Sequence, residues 1–82
     1  MYNKFHTFLA PALSVRIRDD VNQPILDGVP NPYWTPDVES AQADKLILQV
    51  LEVRPGEPVD VMVAGIPNYD FKWVDSSWLE AA

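Results

Sequence analysis

Two dense apolar runs flanking a proline–glycine turn constrain this chain more than any other feature. Residues 45–53 (Lys45-Leu46-Ile47-Leu48-Gln49-Val50-Leu51-Glu52-Val53) precede Arg54-Pro55-Gly56-Glu57, and residues 58–64 (Pro58-Val59-Asp60-Val61-Met62-Val63-Ala64) follow. In the second run Val59, Val61 and Val63 alternate with Asp60, Met62 and Ala64, the period-2 pattern of a half-buried strand. The first run is apolar on both faces: Leu46, Leu48 and Val50 share one, and Ile47, Leu51 and Val53 share the other with Gln49. That density predicts a central strand covered from two sides. Pro55 presets φ and Gly56 can follow it in a tight turn, so the pair reads as a β-hairpin on which the rest of the fold packs.

Just before the hairpin, Thr35 is placed to cap a helix with Pro36 at its first position and Asp37 near its positive end. The spacing predicts a short helix over 36–43, then the strand from about 45. Upstream, Leu13, Val15 and Ile17 alternate with Ser14, Arg16 and Arg18, which predicts a strand over 13–18 with both arginines as ordinary surface charges beside carboxylates. Asp19-Asp20-Val21-Asn22-Gln23 is turn material. It lacks the glycine and distal glutamate of a calcium loop. Residues 24–28 read as a short return strand opening on proline, and so at a sheet edge. After the hairpin, Tyr69, Phe71 and Trp73 alternate within 69–74. This predicts a further strand whose aromatic face packs on Val59, Val61 and Val63. The expected core therefore includes Val15, Ile17, Leu48, Val50, Val59, Val61 and Phe71.

Three apolar segments remain, and they supply the candidate interface residues. The first eleven residues hold Phe5 and Phe8, which read as an arm docking either on the chain's own core or on a neighbouring subunit. His6, without a second His, Cys or carboxylate cluster nearby, reads as a surface or capping residue. Between Val29 and Pro36 three prolines impose an extended path around Tyr33 and Trp34, read either as aromatics capping one end of the core or as partner anchors. At the C-terminal end, Ser77 and Glu80 have capping-box spacing, but too few residues follow to support a helix. Trp78 and Leu79 are thus an apolar pair needing a docking site.

The 82 residues suit one domain (arm 1–11, β core 12–74, tail 75–82) with a marginal core. There is no cysteine, hence neither a disulfide framework nor a thiolate metal site. The net charge of −6 disfavours nucleic acid and anionic membranes as direct partners. No apolar run approaches a membrane span, and Pro11 interrupts the short run Phe8-Leu9-Ala10 that would otherwise suggest a leader. The expectation is a soluble protein made inside the cell. No nucleophile–base pairing, phosphate loop or metal set stands out, because the serines lack an elbow context and the three glycines are scattered. The chain thus reads as non-enzymatic, without cofactor or metal.

Val15-Arg16-Ile17-Arg18-Asp19, Pro24-Ile25-Leu26-Asp27-Gly28-Val29-Pro30, Tyr33-Trp34 and Pro55-Gly56-Glu57-Pro58-Val59 together resemble a family of small proteins encoded in the tail-gene region of Mu-like contractile phages. The resemblance covers about half the chain. Residues 35–44 depart from it as an insertion, and the basic residues that follow Tyr-Trp in that family are missing. It implies a setting in the virion or the host cytoplasm: a non-enzymatic structural or assembly protein that binds neighbouring virion subunits and is oligomeric in context. Two other classes are carried beside it, a small acidic inhibitor of a host protein acting as a nucleic-acid mimic, and an adaptor domain of a cellular complex. The expected fold is mainly β, a small antiparallel β-barrel or sandwich with one short helix and extended terminal arms.

Overall fold

A computed structural model of the chain describes residues 13–82. The fold is mainly β, with two antiparallel sheets and one short helix. The larger sheet has five strands: β1 (Ser14–Ile17), β4 (Leu48–Val53), β5 (Val61–Ala64), β6 (Lys72–Val74) and β7 (Leu79–Ala81). Their order is β6-β5-β4-β1-β7, and β6 is not paired with β7, so the sheet is open. The smaller sheet is the two-residue hairpin of β2 (Ile25–Leu26) and β3 (Val29–Pro30). The helix α1 (Pro36–Ala43) lies between the two in sequence.

The core lies on one face of the large sheet. Val15, Ile17, Leu48, Val50, Val61, Val63, Val74 and Leu79 meet Val38 and Ala41 of α1, together with Trp34, Ile66 and Trp78. Every sequence-expected core residue is buried except Phe71, which is 52% exposed. The register explains this exception. Val74 pairs with Val61 and Lys72 with Val63, which turns Lys72 and Val74 inward and leaves Trp73 opposite Met62 on the outer side. Phe71 has the parity of Trp73, so the aromatic face lies away from the valines that it was expected to cover. Trp78 and Leu79 from the tail occupy the core in its place.

The hairpin forms around its turn, with Glu57 N donating to Arg54 O at 3.4 Å. β4 is the central strand, yet only its inner side is covered by the described core: Ile47 is 67% and Leu51 40% exposed. A β-bulge between Val50 and Glu52 adds one residue to β4. The extra residue reverses the alternation, so Val53 pairs with Val61 and packs on the core rather than sharing a face with Ile47. β5 begins at Val61 rather than 58, and Asp60, expected on the solvent face, is fully buried.

Thr35 caps α1 as expected, its side chain accepting from Val38 N, and Pro36 opens the helix. Its C-terminus delays the next strand to Leu48. Lys45 N donates to Gln42 O and Leu46 N to Ala41 O, the paired bonds of a Schellman motif, with Lys45 at φ 53°. The expected strand at 24–28 is instead the β2–β3 hairpin. Asp27 and Gly28, at φ 53° and 82°, form the two-residue turn that matches strand twist. Gly65, at φ 114°, lets β5 end against β4: a Cβ there would lie 3.1 Å from Leu48 Cδ2 and 3.3 Å from Ile47 O.

The tail is neither a helix nor a free segment. Residues 76–78 form a single 3₁₀ turn, and β7 pairs with β1 through Ile17–Leu79, Arg16–Glu80 and Val15–Ala81. This turn carries the chain from edge strand β6 to the opposite edge, β7. Among the described residues, no helix is long and apolar enough to cross a membrane.

Candidate interaction surfaces

The six interface candidates fall into three situations. Phe5 and Phe8 lie outside the described residues. Trp34, Trp78 and Leu79 are buried in the chain's own core, so the docking site that the tail requires is supplied in cis by β1 and the Trp34 layer. Tyr33 is 38% exposed and remains on the surface.

Tyr33 and Trp34 diverge because Asn31 organises the loop. Asn31 Nδ2 donates to Gln23 O at 3.0 Å, and its Oδ1 accepts from Tyr33 N at 3.0 Å. Trp34 turns inward, meets Trp78 edge to face with centroids 5.1 Å apart, and donates from Nε1 to Glu39 Oε2 at 2.8 Å. An indole can be buried at modest cost when its N–H keeps an acceptor. The tail is held by two carboxylates. Asp60, fully buried, accepts from Ser76 N and Ser76 Oγ, both at 2.8 Å. Asp75 caps the 3₁₀ turn by accepting from Ser77 N at 2.9 Å and Ser77 Oγ at 2.8 Å.

Where the turn passes the β2–β3 hairpin, a pocket of about 230 Å³ opens to the surface. Leu26, Tyr33, Pro58, Val59 and Trp78 form its apolar wall; Gln23, Asn31, Asp75 and Ser77 contribute polar groups. Among the described residues that line it there is one carboxylate and no basic side chain. Four separate stretches of the chain build it, so no local motif announces it.

The second surface is the outer face of the large sheet. Ile47, Leu51 and Phe71 stand exposed there, beside the half-buried Met62 and Trp73. Arg54 covers part of this face, its guanidinium carbon 3.9 Å from the centre of the Trp73 ring. At the β1–β7 end the face becomes polar, with Arg16 Nε donating to Glu80 Oε2 at 2.9 Å. The apolar character of Ile47 and Leu51 predicts burial from both sides of β4, whereas the structure leaves both exposed on its outer side.

Two further basic residues are paired with carboxylates at the surface. Arg18 binds Asp20 through two nitrogens, and Lys45 Nζ donates to Asp19 Oδ2 at 2.8 Å. That hydrogen bond, then the lysine charge, holds the Asp19 carboxyl below its ordinary value. Arg16 and Arg18 are thus surface charges beside carboxylates, as the alternation predicts. Lys72 differs. It points to the inner side at the sheet edge, its Nζ lies 4.6 Å from the Tyr69 ring centre, and loss of hydration lowers its pKa against the opposing pull of Asp37. Among the described residues no group of three or more His, Asp or Glu is placed to hold a metal ion, and no buried side-chain polar atom lacks a hydrogen-bond partner.

Comparison of the chain with protein-family models, with curated proteins and with solved structures returned no match.

Proposed function

We propose that this chain is a non-enzymatic structural or assembly subunit of a bacteriophage particle, in the virion or during its assembly in the host cytoplasm. It binds neighbouring subunits through the outer face of its five-stranded sheet. The observation that carries the binding role is the exposure of Ile47, Phe71 and Leu51 on that face, at 67, 52 and 40%. Large apolar side chains gathered on one open sheet face favour association, because each loses contact with water when a second surface covers it. A neighbour's sheet laid there would complete a two-layer sandwich. The phage setting is supported by the resemblance of the Val15–Asp19, Pro24–Pro30, Tyr33-Trp34 and Pro55–Val59 stretches to small proteins of the Mu-like tail region.

The test is a phage whose gene for this chain carries Ile47→Ser, Leu51→Ser and Phe71→Ser together. The purified variant should unfold in urea within about 1 kcal/mol of the parent, since surface substitutions are individually small. It should nevertheless be missing from purified particles that contain the parent protein. Variant incorporated at the parental level, or parent absent from both particles and their assembly intermediates, would overturn the proposal.

A further inference from the structure

The outer face of the large sheet differs from the rest of the molecule in charge as well as in polarity. At the β1–β7 end Arg16 stands opposite Glu80. At the other end Glu52 pairs with Met62, and the next residue across, Trp73, lies under Arg54. These two bases and two acids balance one another, and the exposed Ile47, Leu51 and Phe71 stand on the same face. The other ten of the twelve acidic residues lie in α1, turns and loops, outside the strands of this sheet. Among the described bases only Arg18, Lys45 and the inward-turned Lys72 accompany them, so the described residues away from this face carry a formal charge of −7.

That distribution bears on what covers the face. A cationic partner would be steered to the acid-rich remainder of the molecule, not to a balanced surface. An identical, anionic copy is repelled by the remainder and meets least repulsion at this face, where burial of the apolar side chains favours contact. The sheet edges suit a second copy less well. β6 and β7 have three residues each, and Lys72 on β6 turns its charge inward, a feature that discourages pairing at an edge.

We propose that the outer face is covered by a second copy of this chain, in a two-fold dimer that lays one sheet on the other. The inference rests on the reading of this face as an interface and names its occupant. Five strands at the usual spacing make a face about 24 Å wide, and strands this short make it smaller than the roughly 800 Å² per partner of a standard interface. The dimer is therefore weak.

The test is sedimentation of the purified full-length protein over a concentration series. The protein should be mostly monomer at about 1 µM and mostly dimer at about 500 µM. Raising sodium chloride from about 0.02 to 0.3 M should tighten the dimer severalfold, because screening relieves the repulsion between two anionic bodies. In the parent protein the amide signals of Ile47, Leu51 and Phe71 should shift or broaden as concentration rises, while those of Gly28 and Ser40 hold. The variant carrying Ile47→Ser, Leu51→Ser and Phe71→Ser should remain monomeric throughout. A parent that stays monomeric at about 500 µM in high salt would overturn the proposal, and so would a dimer that salt loosens, that the triple variant retains, or whose concentration-dependent signals lie off this face. If the parent is monomeric and the triple variant is still lost from particles, the face serves a different subunit: this inference fails and the proposed function stands. If the triple variant loses the dimer yet enters particles at the parental level, this inference stands and the proposed function fails.

Discussion

Val50 and Leu51 are adjacent aliphatic residues on the central strand, yet Val50 is 1% exposed and Leu51 40%. The same contrast separates Val74 from Phe71 on the edge strand β6 and its approach. Within each pair the larger side chain is the one left in solvent. What decides is the cover: α1, Trp34 and the tail lie over the inner face of the sheet, and no described element lies over Ile47, Leu51 and Phe71 on the outer face. Hydrophobicity makes burial favourable, but a residue is buried only where the topology brings another layer. The inner face is thus the folding core, and the outer face is the one on which the proposed association rests.

The strongest way to break this division is at the layer that covers the inner face. Trp78→Ala removes an indole packed edge to face on Trp34 and should lower stability by about 3–5 kcal/mol in urea unfolding. A loss under about 1 kcal/mol would show that the tail is an accessory to the core. A smaller effect is expected where β5 ends. Gly65→Ala places a methyl against Leu48 and Ile47 O at a backbone conformation that other residues rarely adopt. It should cost about 1–3 kcal/mol, readable as a drop in the thermal midpoint.

The smallest effect belongs to the surface. The Asp19 carboxyl is held below its ordinary value of 3.8 by the Lys45 hydrogen bond and charge. A depressed carboxyl contributes stability that is fully present above its unfolded value and is lost as pH falls through the folded one. Lys45→Gln should therefore slightly flatten the decline in stability below pH 3.8 and leave the urea midpoint at neutral pH nearly unchanged. A large change at neutral pH would make this exposed pair part of the fold's support.

Much of the inner layer was legible because local pattern and tertiary cover agree there. The alternation over 13–18, the cap and proline at Thr35 and Pro36, and the Pro55-Gly56 turn each determine local backbone and also match the final packing. Legibility ended where one residue changes the parity of a strand. The bulge at Leu51 transfers Val53 to the core, and nothing in its composition marks it. The Schellman end at Lys45 was hidden because the left-handed position holds lysine rather than glycine. Asp27-Gly28 did carry a hairpin signal, but the flanking strands have only two residues each and read as one. Trp78 and Leu79 looked homeless because a short tail has no stability of its own. Their partners, Trp34 and Ile17, are more than forty residues away in sequence. The pocket depends on the same long-range contacts and could not be read from any single stretch.

One paired measurement tests the division of the sheet most directly: the unfolding free energies of Val61→Ala and Phe71→Ala in urea, each against the parent. Val61 is completely buried, and its truncation should cost about 1–3 kcal/mol. Phe71 loses far more apolar volume but stands half exposed on the outer face, and its truncation should stay within about 0.5 kcal/mol. A Phe71→Ala loss equal to or larger than that of Val61→Ala would mean that the outer face supports the fold, and the assignment of that face to association would fail.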